Sequence, residues 1–461
     1  MVKDFDVIII GSGAALNLVE HSLSHGLKTA LVDKGPIGGT CLNMGCIPSK
    51  KVIYPADVVD VIKNAKKFGI DVELKSVDFK KVLEETKESV DFESKSIEKS
   101  IKNVRMDNFS FYKTSANFVS DYSLDVGNGE IIKGKKIFIA AGARPMIPKI
   151  KRIDKIDYLT NENVFSLTTL PKSIAIIGGG YIGVEFAHFF SSFDSKVFII
   201  QHNKQLVPNE EIEISYALKR SLEKKLEVFL GSEILEFKKE KERVKIIFDV
   251  SGLKKEIVVE KILIATGRVP NADLLNVEKT GVKLTDKGYI SVNDSLETSK
   301  KNIWAFGDII GKEMFRHTAN YEANVALENG FHTKKMKMVY DAVPHAIFTS
   351  PEIASVGLTE VKARKQGFDV AIGFSKFNSV AKGDTMKDEI SFAKAVIDKK
   401  TDKILGFHIF GPNASILIQE IVFAMTKKLT RRDIFDTIHI HPSMSEIIVN
   451  TLANIQHEHK H

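Results

Sequence analysis

Two cysteines stand five residues apart in Gly38-Gly39-Thr40-Cys41-Leu42-Asn43-Met44-Gly45-Cys46-Ile47-Pro48-Ser49-Lys50, and the 461-residue sequence has no others. Thiols at this spacing either pack as unpaired groups or exchange two electrons as a dithiol and a disulfide. On an ideal helix the interval rises about 7.5 Å, beyond the usual Cα separation across a disulfide, so a bond requires a distorted turn. Gly45 and Pro48 permit one. So short a loop barely constrains the unfolded chain, and one pair cannot scaffold a chain of this length, so a purely structural bridge is poorly motivated. Taken alone, buried unpaired thiols are the commoner reading. Near the C-terminus, His441-Pro442-Ser443-Met444-Ser445-Glu446 sets an imidazole close to a carboxylate. A carboxylate that fixes the histidine tautomer raises its basicity, as a base for a thiol requires. An isolated pair of this kind is more often incidental, and its weight here comes from the need for a base beside the dithiol.

The elements that must position these groups are read from glycines and apolar runs. Residues 5–10 (FDVIII) form a β-branched run ended by Gly11-Ser12-Gly13, residues 14–25 read as a helix, and residues 29–32 are a second apolar run ending at Asp33. Strand, glycine turn, helix and strand make a βαβ unit. Gly11 and Gly13 let the backbone approach a diphosphate whose charge the helix N-terminus stabilises, and Asp33 suits a ribose diol. Leu16 occupies the third glycine position, where Ala14 and Ala15 would keep the helix close to the sheet. The order repeats as strand 173–177, turn Gly178-Gly179-Gly180, helix 181–192 and strand 196–200, with the third glycine, Gly183, present. Gln201 stands where an acid is expected, so preference for a bare ribose is not enforced. His202 and Lys204 either face a 2′-phosphate or are ordinary surface residues. Two units imply two dinucleotide sites, and that setting turns the reading of Cys41 and Cys46 toward a redox dithiol.

Elsewhere, residues 58–103 carry helical periodicity among many charges and predict two long solvent-facing helices. Residues 137–142 (IFIAAG) and 262–267 (ILIATG) are strands running into glycine turns that hand the chain to the next domain. From about residue 343 the pattern changes to strands without glycine turns, such as 345–348 and 392–397, which predicts a third domain. Apolar residues at 43% and charged residues at 27%, with 30 Gly and 12 Pro, describe a globular chain of several domains and exclude collagenous or disordered classes. The expected location is cytoplasmic, because no run of 18 apolar residues occurs and the opening residues lack a basic head and cleavage site. A net charge of +7 suits anionic small molecules, whereas one Trp among scattered Lys makes no nucleic-acid platform. Neither a nucleic-acid nor a membrane partner is expected. His457, His459 and His461 read as a frayed tail, with no metal site expected.

Together these motifs resemble the flavin-dependent pyridine nucleotide-disulfide oxidoreductases over nearly the whole chain. GGTCLNMGCIPSK from Gly38 looks like the redox disulfide of the dihydrolipoamide dehydrogenases, and GGGYIGVEF from Gly178 like the nicotinamide site. ATGRVPN from Ala265 is similar to the turn back to the flavin domain, WAFGDI from Trp304 to the second flavin motif, and HPSMSE from His441 to the catalytic His-Glu segment. The resemblance implies an α/β fold with two Rossmann-like dinucleotide-binding domains and an α+β C-terminal dimerisation domain. FAD would lie in residues 1–147 and 269–341, NAD(P)H in 148–268, and the dimer interface in 342–461. Cofactor contacts are implied for Gly11, Gly13, Ala14, Asp33, Lys34, Gly39, Thr40, Lys50, Ala141, Gly142, Asp308, His317 and Ala319, and for Gly178, Gly180, Gly183, Gln201, His202 and Gly267. Cys46 would be the flavin-proximal thiol and Cys41 the interchange thiol, with Lys50 paired to Glu185 and Tyr181 covering the nicotinamide pocket. His441, oriented by Glu446, would reach the dithiol of the other subunit of a homodimer.

The resemblance also orders the substrates. A dihydrolipoamide dehydrogenase type leads on the cysteine and histidine segments, acting on a lipoyl-type or other small dithiol or disulfide. A reductase of a low-molecular-weight disulfide comes second, because Tyr181 and residues 186–191 look like the mycothione branch. Glutathione is disfavoured because residues 14–26 contain no Arg or Lys, and mercuric or large thioredoxin reductases would need further cysteines. A flavin-binding redox sensor without turnover would have lost a cysteine, Lys50, Glu185 or His441, and all are present.

Overall fold

The N-terminal β-branched run forms the middle of a parallel sheet, β1 (Val2–Ile10), paired on one side with β2 (Thr29–Val32) and on the other with the strand Ile131–Ile139. The structure is a computed structural model that describes residues 2–104 and 106–456, so the three terminal histidines lie outside the described residues. Beyond β2 lies β3 (Phe109–Tyr112), and the strand Ile303–Ala305 pairs in parallel with Ile131–Ile139, bringing a late segment back to the first sheet. Two antiparallel strands complete seven. Val7, Ile8 and Ile9 are fully buried, because a parallel sheet covered on both faces needs apolar residues pointing each way.

A second parallel sheet holds strands Glu227–Phe229, Lys196–Ile200, Ser173–Ile177 and Lys261–Ile264 in that spatial order. A three-stranded antiparallel sheet over 232–259 is inserted between its strands Glu227–Phe229 and Lys261–Ile264, and a six-stranded sheet closes the chain from Pro344–Ile347 to Ile455–Gln456. The fold is therefore α/β with two Rossmann-type sheets and an α+β C-terminal part.

Both glycine turns are set by close approach. Gly11 (φ 101°) and Gly178 (φ 111°) adopt the left-handed region, and a Cβ there would lie 2.4 Å from the Ala140 carbonyl oxygen and 2.3 Å from that of Ala265. The two units differ at the third position. A Cβ on Gly183 would come within 2.0 Å of the Gly178 oxygen, so only glycine lets that helix start at once. Leu16 stands at the equivalent position, where a side chain does not permit so close a start. The first helix, α1 (Leu16–Ser24), begins only there, shorter than the expected 14–25, after a turn through Ala14 and Ala15.

The expected helix pair over 58–103 is corrected. After the short α2 (Gly39–Met44), α3 (Cys46–Lys63) begins at the second cysteine, and α4 (Phe79–Lys102) follows an irregular stretch. Pro48 lies in the first turn of α3, where a missing N–H leaves no helical bond unmade. The helices are not a solvated pair. Val52, Ala56 and Val59 of α3 and Phe79 and Leu83 of α4 join the core beneath α5 (Tyr181–Ser192).

A buried cation clasps the second sheet's layer to the last sheet. Lys394, with a side chain 2% exposed, contacts Glu211 (3.0 Å) and Glu213 (2.8 Å) at the start of α6 (Ile212–Leu222), and Glu360 (2.8 Å). Breaking such a group by removing one partner leaves a buried charge uncompensated, at a cost of about 3–5 kcal/mol. Lys394→Met is therefore expected to lower unfolding stability by about that amount in denaturant titrations. A change below about 1 kcal/mol would mean that the clasp contributes little to stability.

Candidate functional site

A cleft of about 3330 Å³ opens between the two parallel sheets and the last sheet. It gathers every expected cofactor and redox residue except Gly183, which is buried inside α5, and His441 and Glu446, which lie elsewhere. His202 reaches its lining and Lys204 does not.

The dithiol sits at the joint between two helices. Gly45 (φ −138°, ψ −120°) separates α2 from α3, and a Cβ on it would lie 2.9 Å from the Thr40 oxygen and 3.2 Å from the Cys41 Cα. This break is the distorted turn that the five-residue spacing requires. The thiols are free and share a hydrogen bond. That bond and the Lys50 charge lower the Cys46 thiol to about 7 against the opposing effect of burial. The same sharing, with burial, raises Cys41.

Lys50, one helical turn beyond Cys46, is held in place by three contacts. Its Nζ donates to both Glu185 oxygens at 2.9 and 2.8 Å and lies 4.5 Å from the Phe348 ring centroid. Glu185 in turn accepts from the Phe348 N–H at 3.0 Å. Nearby, the Tyr181 hydroxyl donates to Glu210 Oε1 at 2.6 Å, a carboxylate that also meets His345 Nε2 at 2.6 Å and accepts from Ser355 at 2.7 Å. Burial pushes the Glu210 carboxyl up, but His345, Tyr181 and Ser355 outweigh it and hold the group at about 2.

On the first sheet, Asp33 Oδ2 accepts the Ser12 N–H at 2.6 Å and Oδ1 the Gly35 N–H at 2.8 Å, pinning the glycine turn. Gln201 does the same for the second turn, its Oε1 accepting the Gly179 N–H at 3.0 Å. Asp308 is raised by burial, and Arg268 Nε approaches it to 3.3 Å without hydrogen-bond geometry, which leaves a buried donor unsatisfied. Glu322 braces this segment by accepting from the Gly307 N–H and the Tyr340 hydroxyl, both at 2.7 Å. The steric cradle at Gly11, the carboxylate of Asp33 and the unsatisfied Nε of Arg268 fit a diphosphate-linked, polyhydroxylated group such as FAD.

His441 Nδ1 contacts Glu446 Oε1 at 2.9 Å, and the Ser443 N–H donates to Glu446 Oε2 at 2.9 Å. The imidazole and that N–H hold Glu446 below its usual range, and its place at the start of the helix Glu446–Ala453 favours the carboxylate further. The imidazole is 71% exposed and does not line the cleft of its own chain. Ile438 and Ile440 beside it are fully and largely exposed.

Residues 5–323 match the family described as pyridine nucleotide-disulphide oxidoreductase, and residues 343–452 match that family's dimerisation domain. The chain belongs to this family. A pyridine nucleotide-disulphide oxidoreductase is a flavoprotein enzyme that uses FAD and NAD(P)H, and the dimerisation domain makes it a homodimer. The chain is 33% identical over 462 residues to dihydrolipoyl dehydrogenase of Bacillus subtilis (strain 168), covering 97% of each. It is 32% identical over 468 residues to mycothione reductase of Mycobacterium tuberculosis (strain ATCC 25618 / H37Rv), covering 99% and 100%. Mercuric reductase of Staphylococcus aureus is 32% identical over 445 residues, covering 96% and 81%. The Cu(II) complex of the HOCl-induced flavoprotein disulfide reductase RclA from Escherichia coli superposes with a TM-score of 0.87 at 27% identity, over 98% and 99% of the two chains. Among the described residues, no helix is long and apolar enough to cross a membrane.

Sequence reasoning passed over Arg268, Glu322, Glu210 and His345. Arg268 was within reach, since it sits inside the ATGRVPN motif, whereas Glu210 and His345 are 135 residues apart and give no local signal. The thiol assignment has a spectral test. On two-electron reduction with FAD bound, a long-wavelength absorbance from the Cys46 thiolate against oxidised flavin is expected, growing as pH rises through about 7. Cys46→Ser is expected to abolish it and Cys41→Ser to retain it, and equal spectra for the two variants would overturn the assignment.

Proposed function

We propose that this protein passes two electrons between NAD(P)H and a small dithiol or disulfide through Cys41 and Cys46, with a dihydrolipoyl-type substrate foremost. The observation that carries the reading is the low-pKa Cys46 at a helix break, beside the Lys50–Glu185 pair and inside one cleft with both glycine turns. In balance, a disulfide, NAD(P)H and a proton yield two thiols and NAD(P)+, and the reverse oxidises a dihydrolipoyl group. FAD supplies the relay between hydride and dithiol. Residues 1–147 with 269–341 hold it, contributing Gly11, Gly13, Asp33 and Asp308. Residues 148–268 hold the nicotinamide dinucleotide, with Tyr181 over its pocket, and residues 342–461 build the dimer.

Cys41 attacks the substrate disulfide, and Cys46 closes the ring. His441, oriented by Glu446, serves the dithiol of the partner subunit by taking and returning the thiol proton. Its exposure in the single chain and the apolar side chains around it support that placement. A mycothione-type low-molecular-weight disulfide is the second reading, supported by Tyr181 and by the full-length similarity to mycothione reductase.

Steady-state assay against dihydrolipoamide, mycothione and glutathione disulfide tests the substrate, and failure with all three would overturn the reading. In the same assays His441→Ala is expected to slow disulfide turnover by about 100-fold or more, with reduction by NAD(P)H nearly unchanged. Loss of hydride transfer with exchange intact would assign His441 to another step.

The nicotinamide preference follows from Gln201. Its amide is committed to the Gly179 N–H, so it neither chelates a ribose diol as a carboxylate does nor pairs a phosphate. Discrimination between NADH and NADPH below about 100-fold is expected, since a charge-assisted hydrogen bond contributes about 1.5–3 kcal/mol. Gln201→Glu is expected to shift kcat/KM toward NADH by repelling the 2′-phosphate. A wild-type ratio above about 1,000-fold either way would show that another residue reads the 2′ position.

A further inference from the structure

Tyr181 opens α5 directly after the second glycine turn, and Glu185, one helical turn further along the same face, holds Lys50 on the dithiol helix. A nicotinamide whose diphosphate sits at that turn must run along this face to reach the redox centre. The Tyr181 ring occupies it. The ring lies parallel to His345 at 5.4 Å and 17° and to Phe315 at 6.0 Å and 18°. Phe315 immediately precedes α7 (Arg316–Phe331) and is itself parallel to His345 and His317, at 5.4 Å and 4° and at 5.5 Å and 6°. His345 belongs to the strand Pro344–Ile347 of the last sheet, so the ring reaches from α5 to both neighbouring parts of the molecule.

Stacked rings can slide, whereas a hydrogen bond to a buried carboxylate is directional and fixed at one end. His345 and Ser355 stand opposite each other on adjacent antiparallel strands, so their side chains share one face of the last sheet. From that face both reach the Glu210 carboxylate, His345 at Oε1 and Ser355 at Oε2, and the Tyr181 hydroxyl completes the set at Oε1. The Glu210 side chain is fully buried, and the next residue, Glu211, is anchored by Lys394. This carboxylate cannot follow the ring. When Tyr181 turns away, Glu210 keeps His345 and Ser355, whereas the hydroxyl gives up a charge-assisted bond of 2.6 Å.

We propose that Glu210 is a positioning residue that latches Tyr181 closed over the nicotinamide pocket, so that the dinucleotide binds only those molecules in which this bond is broken. The inference rests on the reading of Tyr181 as the cover of that pocket, and it deepens that reading by naming what sets the opening. The apparent dissociation constant then equals the intrinsic one divided by the open fraction, so weakening the latch tightens binding. A purely structural joint has the opposite effect, since loosening the walls of a binding site weakens binding.

With holoenzyme, flavin reduction by NADH and by NADPH, followed by stopped-flow absorbance over a range of concentrations, gives an apparent Kd separately from the limiting rate. Tyr181→Phe keeps the ring and its stacking partners and removes only the hydroxyl. It is expected to lower the apparent Kd about 10-fold, the change falling on Kd rather than on the limiting rate. Glu210→Gln, which keeps an acceptor without the charge, is expected to lower it about threefold. The double variant is expected to fall no further than Tyr181→Phe, because the two groups share one bond. An unchanged or raised Kd in Tyr181→Phe overturns the latch, a rise assigning the hydroxyl to nucleotide binding. Additive effects in the double variant overturn the pairing of the two residues. Tyr181→Ala, measured in the same way, tests the underlying reading. If it alters the apparent Kd while Tyr181→Phe does not, the ring covers the pocket and only the latch fails; if neither variant moves Kd, Tyr181 does not cover the pocket.

Discussion

The Lys50–Glu185 ion pair ties together the parts on which the rest of the site depends. Lys50 lies on α3, which begins at Cys46, and Glu185 lies on α5, which the second glycine turn launches. The Phe348 N–H and ring, from the start of the last sheet's region, close on the same pair. An ion pair with one side chain 9% and the other 33% exposed is expensive to desolvate and is weak evidence for stability. Its consequence is positional. The thiol helix, the second nucleotide turn and the C-terminal layer share one fixed charge, and the Cys46 thiol responds to that charge.

The two glycine turns solve one steric problem with different chemistry behind them. At each, a Cβ would strike a carbonyl from the next strand of its sheet, Ala140 or Ala265. At each, a side chain from the end of the second strand accepts an N–H of the turn, Asp33 from Ser12 and Gln201 from Gly179. The geometry is shared and the charge is not. A carboxylate retains negative charge at the turn after bracing it, while a carboxamide braces the turn and leaves its field neutral. The difference lies in one side-chain type at one position, which is why ribose preference and fold are separable here.

Around the cleft the buried polar groups are paired across domains rather than within elements. Glu210 joins Tyr181 to His345 and Ser355, and Lys394 joins Glu211, Glu213 and Glu360. Each cluster gives its carboxylates hydrogen-bonding or charged partners in place of the water that burial removes. The aromatic stack of Tyr181, Phe315, His345 and His317 shares residues with the first cluster, so the tyrosine beside the second glycine turn and the N-terminus of α7 are held by a common set of contacts.

Local chemistry was legible in the sequence. The β-branched runs ending at Ile10 and Ile177, the glycines after them, the acid or amide at Asp33 and Gln201, and the paired cysteines are read from neighbours, because turns and strand alternation are decided within a few residues. The helix carrying Cys46 and Lys50 was placed too late in the chain, since its charged periodicity begins beyond Pro48 and Pro55 and a proline argues against a helix unless it falls in the first turn. Only the tertiary structure joined Lys50 to Glu185, Glu210 to His345 and Arg268 to Asp308. Such pairs are separated by whole strands and helices, and their energies arise from burial and from the alignment of distant layers. A sequence determines those quantities only through the completed fold.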